Sequence, residues 1–150
     1  MTTFTIPWTH ELELASIDDL DADHRRLLDK IDDLLNALSH RDETRVLMAC
    51  GALRAAAHEH FATEEALMRD AQYPDLEQHC LSHRRLLDSL TALRFTLDSA
   101  ERFATTMGPY VFLERWFVAH LANDDRRFDA FMALRQRGGA GAASGTRPTG

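Results

Sequence analysis

Five histidines and a few carboxylates stand at spacings that could hold metal. His60 and Glu64 lie four residues apart in the stretch His-Phe-Ala-Thr-Glu-Glu, residues 60–65. On a helix that spacing puts an imidazole and a carboxylate on one face, one turn apart. His79 and His83 form a second pair with the same spacing, His24 sits among Leu20, Leu27 and Leu28, and His120 precedes Asp124 and Asp125. Buried without compensation, such groups are costly. As free groups they would crowd a low-dielectric core, and protonated imidazoles would repel one another. A metal centre removes the conflict. Five imidazoles and two carboxylates exceed the four ligands of a structural zinc site. They suit a pair of six-coordinate metals bridged by carboxylates, for which ligand type alone leaves iron, manganese and zinc open. Two divalent ions, two carboxylates and one bridging hydroxide would leave about +1 in the core.

Four long helices are needed to bring these residues to one point. The first begins near Asp18 to Asp21, with acidic residues in its first turn, and carries Leu20, Leu27, Leu28, Ile31, Leu34, Leu35 and Leu38 at helical spacing. His24 falls within that stripe. After a turn at Ser39 to Glu43, the second helix runs to about Asp70. Its inner stripe reads Val46, Leu47, Cys50, Leu53, Ala57, His60, Glu64, Leu67 and Met68. His58 is about 200° from His60 around that helix and is expected on the outside or at a helix contact. Pro74 fixes the next turn and Asp75 is placed to cap a third helix, about Leu76 to Ser99, with Leu76, His79, Cys80, His83, Leu86, Leu87, Leu90, Leu93 and Leu97 inward. Gly108 and Pro109 open the fourth helix, about Pro109 to Arg135, whose apolar face holds Val111, Phe112, Trp116, Phe117, His120, Leu121, Phe128, Phe131 and Leu134.

The expected fold is all-α: an antiparallel up-down-up-down four-helix bundle over residues 20–136, preceded by an irregular arm at 1–19 that contains Trp8, and followed by a flexible Gly-Ala-Ser tail at 137–150. In that topology the polar positions fall at one depth. Helices one and three carry theirs early, and helices two and four carry theirs late.

The whole chain is compatible with one such domain. It has 150 residues, 45% of them apolar, and a net charge of -7, which argues against nucleic acid and anionic membrane surfaces as partners. No apolar run approaches a membrane span, and no secretory signal is visible at Met1 to Ile6. Cys50 and Cys80 form no CxxC pair and read as small apolar residues in a reducing compartment, so a cytoplasmic location is expected. His10 and His40 read as solvated.

The set His-Phe-x-x-Glu-Glu at 60–65, Met68, Tyr73-Pro74, His79-x-x-x-His83 and Trp116-x-x-x-His120-x-x-x-x-Asp125 resembles the hemerythrins, above all the bacterial single-domain type. Trp8 and the Asp-x-Asp-His segment at 21–24 extend the likeness, which covers about residues 8 to 132. The resemblance implies two iron ions, Fe2+ or Fe3+, joined by an oxo or hydroxo bridge. It gives His79, His83 and His120 to one iron, His24 and His60 to the other, and Glu64 and Asp125 to both. The second iron then has an open position for dioxygen.

Simple helix geometry prefers Asp124, at i+4 from His120, because i+5 is rotated by about 140°. The family pattern selects Asp125, and a local widening of the helix would reconcile the two. Phe117 stands where a smaller aliphatic residue is common in the family, an exchange expected to alter oxygen access or autoxidation. Leu121 replaces the usual Ile, and Asp32 stands near a frequent Asn. Glu65 lies about 100° from Glu64, which suggests a surface or inter-helix group; a role as acceptor for a ligand imidazole stays open.

Three functions follow. The first is reversible dioxygen binding, for storage, delivery to an oxygen-using enzyme, or sensing, without catalysis. The second is a di-iron enzyme: an oxidase, a peroxidase or a nitric-oxide-handling protein. Against it, no Glu-x-x-His pair of the carboxylate-rich di-iron enzymes is present. The third is a module that acts through a signalling partner.

Overall fold

The computed structural model describes residues 18–97 and 107–143. Helix α1 spans Asp18–Ser39, α2 Glu43–Asp70, α3 Leu76–Leu97 and α4 Met107–His120. A five-residue π-helical turn, Leu121–Asp125, follows α4 without a break and leads into α5, Arg126–Ala143. The last three segments form one helical run, so the described residues make four antiparallel rods and contain no strand. None is long and apolar enough to cross a membrane. The expected four-helix bundle is the observed fold.

The helix ends follow from local chemistry. At the close of α1, Arg41 takes a left-handed φ of 56°. Its N–H bonds to the Leu38 carbonyl at 3.1 Å and the Asp42 N–H to that of Ala37 at 3.2 Å, a Schellman stop. The Asp42 side chain then caps α2 by accepting from Arg45 N at 3.0 Å. Gln72, with φ 55°, ends α2 in the same way, with bonds to Arg69 and Met68 carbonyls. The Asp75 backbone carbonyl receives the His79 N–H at 3.0 Å as α3 begins.

Each rod passes through two apolar clusters with a polar level between them. The larger cluster holds Ile31, Leu34 and Leu35 of α1, Val46 and Leu53 of α2, Leu90 and Leu97 of α3, and Leu113, Trp116 and Phe117 of α4. The smaller holds Leu20, Met68, Ala71, Tyr73 and Phe128. His24, His60, Glu64, His79, His83, His120 and Asp125 lie between them in the chain and are all buried. Trp116 Nε1 donates to the Leu86 carbonyl at 3.0 Å and Arg54 Nε to Thr91 Oγ1 at 3.0 Å, tying α4 to α3 and α2 to α3. Arg135 donates to the Ala71 carbonyl.

Three residues of the expected inner stripes face out instead: Leu67 at 36%, Val111 at 38% and Leu134 at 65% exposure. For Leu134 the π turn is the reason. It inserts one residue, which turns every later position back by about 100° relative to an unbroken α-helix. Met132 moves inward by the same rotation and packs against the smaller cluster. Leu67 and Val111 sit at the edges of their stripes, where neighbouring rods do not cover them. The helix also continues beyond the expected boundary at 136, to Ala143. Its alanines favour helix while its glycines disfavour it by about 1 kcal/mol each. Residues 1–17 of the expected arm, with Trp8, and residues 144–150 lie outside the described residues, while 18 and 19 belong to α1.

Candidate metal centre

The six side chains singled out by spacing, and Asp125, which the family resemblance selected over Asp124, converge on one point inside the bundle. Glu64 and Asp125 are fully buried carboxylates at its middle. Glu64 Oε1 lies 2.6 Å from His79 Nε2 and 3.6 Å from His83 Nε2, and Oε2 lies 3.1 Å from His60 Nε2. Asp125 Oδ1 lies 2.9 Å from His120 Nε2 and 3.1 Å from His79 Nε2, and Oδ2 lies 3.1 Å from His24 Nε2. Every imidazole thus presents Nε2 inward, and each carboxylate turns one oxygen to each side.

The donor atoms fall into two groups that could each hold a metal ion. One contains His79, His83, His120, Glu64 and Asp125; the other contains His24, His60, Glu64 and Asp125. The two carboxylates belong to both.

Asp125 reaches this position through the π turn. The regular spacing that favoured Asp124 is broken where widening was needed, and both aspartates contact His120. Asp125 faces its Nε2 at 2.9 Å, while Asp124 Oδ2 accepts from its Nδ1–H at 3.1 Å.

Two more imidazoles are held from outside by carboxylates. His60 Nδ1–H donates to Asp23 Oδ2 at 3.3 Å and His83 Nδ1–H to Glu65 Oε1 at 2.8 Å. Asp23 also pairs with Arg26. Ser82 Oγ donates to Asp124 Oδ2 at 2.8 Å. Glu65, the second carboxylate of the His-Phe-Ala-Thr-Glu-Glu stretch, is therefore an acceptor for an inward imidazole and not merely a surface group. Asp23 and Ser82 were not anticipated. Their partners are 37 and 42 residues away, so only the packed helices reveal them.

These outer bonds fix the inner electronic state. An Nδ1 that donates to a carboxylate leaves Nε2 as a lone pair when the ring is neutral. Lone pairs of imidazoles and carboxylate oxygens then face each other at close range. Nε2 of His60, whose Nδ1 is held in this way, Nε2 of His79, both ring nitrogens of His24 and all four oxygens of Glu64 and Asp125 are buried without a hydrogen-bond partner. Such a set requires positive charge among the atoms. In the metal-free chain, protons supply it. Burial pushes His79 down, but the Asp125 and Glu64 carboxylates outweigh burial and raise it to about 9. Burial likewise opposes His120, and Asp125 and Asp124 carry it up to about 10. Burial and Asp125 both push Glu64 up, and the surrounding histidines bring it below the usual carboxylate range. The donor set therefore fits a cationic metal centre.

A cavity of about 10 Å3 opens beside His24 and His60, walled by Leu27, Phe61, Leu86, Trp116, Phe117 and Leu121, and touching His120 and Asp125. It is about the size of one water molecule. Phe117 forms part of this wall, with its ring 6.5 Å from that of His24 and edge-on to it. Phe61 stacks on His83 at 4.0 Å with a 7° interplanar angle.

Residues 15–130 match the family described as the Hemerythrin HHE cation binding domain. A bacteriohemerythrin of Ralstonia nicotianae is 32% identical over 133 residues, covering 87% of this chain and 90% of its own. One of Stenotrophomonas maltophilia is 26% identical over 121 residues, covering 81% and 77%. A crystal structure of a leucine-to-phenylalanine mutant superposes with a TM-score of 0.74 at 20% identity, over 85% of this chain and 96% of that one, and supports the fold.

Proposed function

The chain belongs to the hemerythrin family, and on that premise we propose that its centre holds two iron ions and binds dioxygen reversibly. The observation that carries this reading is the division of donors into two groups that share Glu64 and Asp125. His79, His83 and His120 would hold one ion, His24 and His60 would hold the other, and Glu64 and Asp125 would serve both. When bound, the pair would supply the electrons and the binding position that dioxygen needs.

The protein's own residues account for the rest. The group with five donors is one richer than the group with four, so an exogenous ligand would find room on the His24–His60 side. The small apolar cavity lies on that side. Its walls exclude bulk water and bulky reductants, which protects a bound ligand from proton and electron transfer. Asp23, Glu65 and Asp124 hold three of the imidazoles in the tautomer that keeps Nε2 free for metal.

Reversible binding, for storage, delivery or sensing, is favoured over catalysis on an organic substrate. A cavity of about 10 Å3 admits a diatomic molecule after slight adjustment and nothing much larger. The two unpaired thiols, Cys50 buried and Cys80 partly so, suit a reducing cytoplasm.

The test is iron content together with an optical spectrum in air and under vacuum. About two irons per chain and a visible band that disappears on deoxygenation and returns with oxygen are expected. One tightly bound zinc, or rapid turnover of peroxide with no reversible band, would overturn the proposal.

A further inference from the structure

We propose that Asp124, held by Ser82, is a positioning residue for His120 and sets the reduction potential of the ion on the three-histidine side. This rests on the reading of the centre as an iron pair.

His120 is clasped by two consecutive carboxylates, one on each ring nitrogen. Asp125 Oδ1 is 2.9 Å from Nε2, and Asp124 Oδ2 is 3.1 Å from Nδ1. A regular helix cannot supply both contacts, because successive side chains point about 100° apart. The π turn Leu121–Asp125 supplies them by lengthening the path between His120 and Asp125. Asp124 remains at the ordinary i+4 position behind the ring.

The Asp124 oxygen that receives the imidazole N–H also receives the hydroxyl of Ser82 at 2.8 Å. Ser82 is on α3, one residue before His83. The hydroxyl fixes the carboxylate behind His120 from a neighbouring rod. A carboxylate on the outer nitrogen makes the inner nitrogen a stronger donor. A stronger donor favours the more highly charged, oxidised ion, so the contact lowers the reduction potential.

The inner and outer carboxylates differ in access. The Asp125 side chain is 1% exposed and that of Asp124 is 29% exposed. Asp124 and Ser82 line a surface cavity of about 420 Å3 together with His79, Arg85 and Arg127. The outer carboxylate thus meets solvent at the edge of the centre, while Asp125 stays buried.

The experiment uses the full chain loaded with iron, unaltered and as Asp124→Ala, Asp124→Asn and Ser82→Ala. Iron content of the unaltered chain is measured first, and absence of bound iron overturns both this inference and the reading beneath it. An equilibrium redox titration should show Asp124→Ala raising the potential by about 59 mV, tenfold in the oxidised-to-reduced ratio for one electron. Ser82→Ala should move it the same way by less. Asp124→Asn should fall between, because it keeps an acceptor and loses the charge. In proton NMR, the iron-shifted N–H of His120 should exchange with solvent faster in Asp124→Ala, with iron still near two per chain. If the variants lower the melting temperature but leave both potential and N–H exchange unchanged, Ser82 and Asp124 merely tie two helices together and the proposal is wrong.

Discussion

His83 and His120 face each other Nε2 to Nε2 at 3.1 Å, while the Nδ1 of each is bonded to a carboxylate, Glu65 and Asp124. With both outer nitrogens donating, the facing pair are two lone pairs when the rings are neutral. They stay close only if a cation lies at the site. Stripping metal with a chelator should therefore leave a folded but weaker bundle. For a metal present at about a thousandfold above its dissociation constant, roughly 4 kcal/mol is lost, or about 10 °C in melting temperature. Calorimetry before and after metal removal measures it, and equal melting temperatures would mean the cluster does not bind metal.

The shared carboxylates make the two halves of the centre interdependent. Glu64→Gln or Asp125→Asn keeps the volume and removes a charge that both donor groups use. Iron should drop from about two per chain to one or none, as read by elemental analysis. Substitution at exposed Glu59 should leave it at two. Retention of two irons in Glu64→Gln would remove Glu64 from the ligand set.

Phe117 closes the cavity beside His24 and is 3% exposed. Phe117→Leu should enlarge the cavity and admit water, at a cost of about 1 kcal/mol in stability. Loss of the oxygenated band should become several-fold to about tenfold faster, measured by its decay in air. An unchanged decay would place the ligand elsewhere.

The pH dependence of stability should have opposite signs without and with metal. His79 at about 9 and His120 at about 10 are raised above the ordinary histidine value, so in the metal-free chain their contribution is fully present below about 6.5. It is lost as pH rises through 9 to 10. Metal competes with those same protons, so the stabilisation it confers keeps growing as pH rises towards about 9 to 10. Melting curves across pH, with and without chelator, should therefore diverge towards alkaline pH. Parallel curves would contradict this.

Two helix stops are built on residues that resist the left-handed conformation. Gln72 has φ 55° and is exposed. Gln72→Gly should stabilise the fold by about 1 kcal/mol or somewhat less, since glycine removes the strain but adds freedom to the unfolded chain. Denaturant titration would show it as a higher midpoint with the same slope.

Much of this was legible in the sequence because helix spacing and helix order are local information. His60 with Glu64 and His79 with His83 announce a shared face, and antiparallel order brings their depths together. The choice between Asp124 and Asp125 could be posed but not closed by spacing, since it depends on a break in the helix whose effect is tertiary. The bonds of Asp23 to His60 and Ser82 to Asp124 were not legible, because they join residues on different rods. Leu134 was misplaced for a related reason: periodicity counts through a turn that does not keep the period.

The π turn also separates two quantities that usually vary together. Ala122 and Asn123 lie exposed on its outer side, so many side chains would be tolerated there. The number of residues between His120 and Asp125 would not, since removing one would swing Asp125 out of the centre and move Phe128 off the smaller cluster together. In this stretch the chain is permissive in composition and strict in length.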